Sequence, residues 1–108
     1  MITPEQAASN GAALLDECDP GWWREDVGCA INLQTLDMSS GCRCVLGQRN
    51  FGSFLVGWEK LNIKMGDEDK YGFVVVSLLS FSDEDVYYRA LTKAWRQEIL
   101  MRRAAVSP

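Results

Sequence analysis

A chain of 108 residues, 47% hydrophobic and 24% charged, has the make-up of one small globular domain, and four Trp, four Phe and three Tyr give it too much apolar mass for a disordered tail. Fifteen acids against eleven bases leave a net charge of −4, which argues against a sequence-independent nucleic-acid binder, whose affinity comes from neutralising phosphates. With no histidine in the chain, Ser-His and Cys-His catalytic pairs and mixed Cys/His zinc sites are excluded.

The first predicted element is a helix over 3–18. Thr3 suits the N-cap, Pro4 the first helical position and Gln6 the far end of a capping box. Ala8, Gly11, Ala12, Leu15 and Cys18 then recur at helical spacing. Pro20 and Gly21 end it. Trp22 and Trp23 follow; at least one is expected as a lid on the core, and both are candidate partner-binding anchors. Over 30–35, Ile31 and Leu33 alternate with Asn32 and Gln34, an extended pattern.

Ser39 or Ser40 is expected to cap a second helix over 42–62. Its stripe is Cys44, Gln48, Phe51, Phe54, Leu55, Trp58 and Leu61. Gly47, Gly52 and Gly57 interrupt it, each at about 1 kcal/mol relative to Ala. A polar connection, KMGDEDKYG, leads to an apolar run in which 72–78 reads as extended. A third helix is predicted over 83–105, with Ser82 and three acids at its start and Tyr88, Leu91, Trp95 and Ile99 on its apolar face. The expected fold is mainly α, a single domain over 1–108 of about three helices with short extended segments. Were the two extended pieces to pair, it would be α+β with a two-stranded sheet. The expected core is Leu15, Leu36, Cys44, Phe51, Leu55, Trp58, Phe73, Leu91 and Trp95.

The chemistry-bearing residues are few. The cysteines are spaced C-x10-C-x12-C-x-C, with one close pair where a tetrathiolate zinc site usually has two. Cys42 is the candidate reactive thiol, because the first turn of a helix favours thiolate and Arg43 adds positive charge. Cys44, on the apolar stripe, reads as a small buried hydrophobe. The acids of DEDK and SDEDV read as solvated or capping groups, and no phosphate-binding glycine loop is present. Arg89, Lys93, Arg96, Arg102 and Arg103 make the last helix basic, which complements its dipole.

A block of residues also carries a resemblance. ITPEQAASNGAALLD, PGW, INLQTLDMSSGCRCVLGQ, FGSF with Gly57, YGF and LTKAWRQEI stand in an order that resembles a family of small accessory proteins of actinobacteriophages, mycobacteriophages in particular. The specific part is the LDMSS-C-x-CVLGQ-FG signature around Cys42 and Cys44; Cys18, Cys29 and the FVVVSLLSFSDEDVY segment fall outside it. The resemblance implies a phage origin and action on a bacterial host protein, and it brings no enzymatic activity.

The expected function is therefore protein binding in the host bacterial cytoplasm, without catalysis and without a cofactor. The alternative is a thiol-dependent module, either a four-cysteine zinc-stapled domain or a redox-sensitive Cys42. A homodimer is a further candidate assembly. The N-terminal residues lack a basic segment followed by an apolar run, so no secretory signal is expected. No apolar run approaches about 18 residues, so no membrane partner is expected either.

Overall fold

Helix α1, Pro4–Cys18, starts where the sequence placed it. The Gln6 N–H donates to Thr3 Oγ1 at 3.1 Å, and the Thr3 N–H donates back to Gln6 Oε1 at 3.4 Å. This reciprocal pair satisfies two amides that the helix geometry leaves without partners. At the other end the Asp19 N–H reaches the Leu15 carbonyl, and Gly21, at φ +81°, turns the chain away. The computed structural model describes residues 3–40, 42–50, 52, 54–61, 69–73 and 81–105. Within them the fold is mainly helical: α1, α2 (Val45–Arg49), α3 (Phe54–Leu61), a 3-10 turn at Asp69–Tyr71, and α4 (Phe81–Ala105).

The expected helix over 42–62 is two helices. Beyond α2, Asn50 takes non-helical angles, its N–H returning to the Gly47 carbonyl at 3.2 Å, and the Gly52 N–H reaches the same carbonyl at 2.7 Å. Gly52 sits at φ +87°, a conformation closed to a continuing helix. The three glycines counted as weak points within one helix thus include the point where the chain turns. The N-cap is also corrected. It is Cys44, whose Sγ accepts from the Gly47 N–H at 3.3 Å. Ser40 Oγ instead accepts from the Arg43 N–H, and Ser39 donates to Asp37. Both serines fold the turn before the helix and leave its first amides to the cysteine.

The alternative with a two-stranded sheet is not found among the described residues, which contain no strand. Residues 30–35 run through turns held by side chains, and most of 72–78 lies outside the described residues. Of the expected core, Leu15, Leu36, Cys44, Phe73, Leu91 and Trp95 are buried. Phe51 and the side chains of Leu55 and Trp58 lie outside the described part.

The core is organised around Trp95 of α4. Its ring meets Trp22 edge-on at 5.7 Å and stacks on Phe73 at 5.3 Å. Its Nε1–H donates to the Gly72 carbonyl at 2.9 Å, so the buried indole is satisfied. Helix α1 packs on α4 and on the 3-10 turn, and its buried residues other than Leu15 are small: Ala7, Ala8, Gly11 and Ala12. At Gly11 the backbones and the Trp95 ring approach so closely that a Cβ would stand 2.6 Å from Trp95 Cζ2 and closer still to the Tyr71 carbonyl oxygen. The small side chains expected on one face of the first helix are what admit the large ring of the last.

Candidate functional site

The described residues between 22 and 43 contain no regular secondary structure, so their backbone polar groups need partners from elsewhere. Arginines and one glutamine supply many of them. Arg103 donates to the carbonyls of Trp23 (2.8 Å) and Ile31 (2.9 Å), and Arg96 donates to that of Leu33 (3.0 Å). Arg49 reaches Gly28 and Cys29 carbonyls while pairing with the Asp19 carboxylate at 3.0 Å. Gln48 joins two stretches of the loop: its Oε1 accepts from the Asn32 N–H, and its Nε2 donates to the Asn32 and Arg43 carbonyls. On the sequence Gln48 belongs to an apolar stripe and Arg96, Arg102 and Arg103 to a solvated helix end. Their long-range work had no local signal.

Trp22 is fully buried, its Nε1–H donating to Asp16 Oδ1 at 2.9 Å. That placement corrects its candidacy as a partner anchor: it has no surface to offer. Trp23 is half-buried against the same core, with the Arg24 guanidinium 5.8 Å from its ring centre. Arg102 lies 5.6 Å from the Trp22 ring centre and pairs with Asp16 at 2.8 Å. The hydrogen bond from this guanidinium outweighs the opposing effect of burial and, with a lesser contribution from the Trp22 hydrogen bond, holds the Asp16 carboxyl below the usual carboxylate range.

The thiols do not gather. Cys42 is exposed, but it precedes the Cys44 N-cap and so lies outside the first turn that was expected to activate it. Its Sγ stands 3.5 Å from Ser40 Oγ. Cys44 is buried, and burial pushes its thiol up from the ordinary value. Cys18 is exposed at the end of α1, and Cys29 is half-buried with a positive φ of 58°. Among the described residues, which include all four cysteines, no three His, Cys, Asp or Glu side chains are grouped to hold a metal ion. The four thiols are not grouped here as a tetrathiolate site needs.

What the fold does assemble is a groove of about 550 Å³ between the 34–43 segment and α4. Leu36 and Met38 are buried beneath it, and the Met38 N–H donates to Thr92 Oγ1 at 3.0 Å, pinning the loop to the helix. Arg43 stands on the loop side; Tyr88, Arg89, Lys93 and Arg96 stand on the helix side. Asp37 is the acid of the lining. Its carboxylate is turned onto Ser39, accepting from both Oγ (2.6 Å) and N (2.9 Å), and these bonds hold its pKa below the usual range. Four cationic residues and one hydrogen-bonded carboxylate thus line the groove, with Arg89 and Arg96 also engaged within the fold. A second, smaller cleft of about 210 Å³ lies between α1, α2 and α3, beside the Asp19–Arg49 pair.

Compared with known proteins, the chain matches no family model, no curated protein and no solved structure. No helix among the described residues is long and apolar enough to cross a membrane.

Proposed function

We propose that this chain is a phage-encoded binding module that acts on a bacterial host protein in the host cytoplasm, by contact and without catalysis. The cationic groove between the 34–43 segment and α4 carries the reading. It is an open concave surface on which Arg43, Arg89, Lys93 and Arg96 converge, backed by buried side chains and fixed by the Met38–Thr92 bond. Such a surface offers charge and shape to a partner. The origin rests on the resemblance of the LDMSSGCRCVLGQ block, and that block is the one that builds the loop wall of the groove. Partner contact through a fixed loop fits the general pattern in which rigid scaffolds position functional loops.

Affinity capture from mycobacterial lysate, with growth measured on expression, tests the proposal. A specific host protein retained by the wild-type chain supports it. No retained protein and no change in growth would sink it. Light scattering on the purified chain separates a second copy of the chain from a host protein as the occupant of the surface.

A further inference from the structure

The groove that supports a binding role also has a spacing of charges, and the spacing narrows the partner. On α4, Arg89 and Lys93 are four residues apart and Lys93 and Arg96 three. At the helix rise these are steps of about 6 Å and about 4.5 Å along the axis. In an extended peptide, side chains on one face recur every second residue, about 6.6 Å apart. A row of cations on a helix wall therefore meets a row of alternate carboxylates on an extended chain nearly in register. Arg43 faces them across the groove from the loop wall. Arg96 has one guanidinium nitrogen fixed on the Leu33 carbonyl, which holds it in place before any ligand arrives.

Charge outside the groove points away from a long polyanion. The groove's four bases and Asp37 leave it at about +3, so the rest of a chain of net charge −4 stands at about −7. A nucleic acid carries its charge continuously, one per about 1.7 Å of duplex, and would extend from the groove onto this acidic remainder. A short acidic peptide stays within the groove.

Resting on the binding-module reading, we infer that the groove is the docking site for an extended acidic segment of the partner protein, with carboxylates at alternate positions. Tyr88, at the same wall, supplies an aromatic face for the side chains between them.

Fluorescence anisotropy of a labelled, alternating Glu-Ser peptide on the full chain tests this inference. The expected result is saturable binding that weakens as salt rises. Arg43→Glu and Lys93→Glu each lower the affinity at least about tenfold, because hydrogen bonds to charged groups are lost and repulsion takes their place. Lys60→Glu, the same change of charge beside the other cleft, leaves it within about twofold. Both groove substitutions are at exposed side chains, and an unchanged circular dichroism spectrum shows that the fold survives them. No peptide binding, equal loss in the Lys60 variant, or a duplex oligonucleotide that binds the groove more tightly than the peptide would each overturn the inference. Repeating the lysate capture with the Arg43→Glu/Lys93→Glu double variant separates the two proposals. A host partner that the double variant retains overturns the groove as docking site and leaves the binding-module reading standing.

Discussion

Replacing Gly11 by Ala sets two effects of opposite sign against each other. In an exposed helix interior the substitution would stabilise by about 1 kcal/mol, since Gly is the poorest helix former after Pro. Here the new methyl would stand 2.6 Å from Trp95 Cζ2 and 2.7 Å from Cη2, and closer to the Tyr71 carbonyl oxygen. Trp95 cannot swing aside: it is fully buried, stacked on Phe73, met edge-on by Trp22 and hydrogen-bonded to Gly72. The Tyr71 oxygen belongs to the backbone and yields only if the 3-10 turn shifts. Overpacking of a filled core costs about 1–3 kcal/mol, and two unyielding obstacles put this site at the upper end. The net expectation is a loss of about 2 kcal/mol. Urea unfolding followed by tryptophan fluorescence would then show a midpoint about 1 M lower, at a slope of about 2 kcal/mol per M. Pairing the change with Trp95→Phe, which removes both crowded ring carbons, should cost less than the sum of the two single changes. A Gly11→Ala variant as stable as the wild type, or more so, would refute the close approach of α1 to Trp95 and the packing built on it.

Three further outcomes are expected. Asp16 has a folded-state pKa below its unfolded value, so its contribution to stability is present above about pH 4 and is lost as pH falls through the folded-state value; thermal unfolding of wild type and Asp16→Asn should differ at pH 7 and converge in acid. Arg49→Ala removes the hydrogen bonds to Asp19, Gly28 and Cys29 together and should lower stability by about 2 kcal/mol in chemical denaturation, with little loss of helix by circular dichroism. In thiol labelling of the native protein, Cys18 and Cys42 should react while Cys44 waits for unfolding, since it is buried with its thiol pKa raised; rapid native labelling at Cys44 would contradict its place as the N-cap of α2.

The arginines also do structural work. Arg49, Arg96 and Arg103 tie loop carbonyls to a helix, giving irregular backbone the partners that regular structure would otherwise provide, and Arg102 ties the Asp16 carboxylate of α1 to α4. A loop held this way keeps its shape in the unbound chain, which reduces the ordering cost of binding.

Local signals determined α1 and α4. Capping at Thr3 and Gln6, the break at Pro20 and Gly21, and the stripe through Leu91, Trp95 and Ile99 act over a few residues, so the sequence could be read directly. The same reading joined α2 to α3, because a period of apolar residues continues across Asn50 and Gly52 even where the backbone does not. It set the cap on Ser39 or Ser40, because serine oxygen is the usual acceptor, whereas Cys44 Sγ takes that role within the buried core. Trp22 and Trp23 are equivalent as letters; only the packing of α1 on α4 decided that Trp22 is enclosed and Trp23 lies nearer the surface. The groove is the clearest case. Arg43 and Lys93 are fifty positions apart in a chain of net negative charge, and nothing local links them. Their charges share one cleft because Leu36 and Met38 are buried against α4, so the burial of apolar side chains decides where the cations stand.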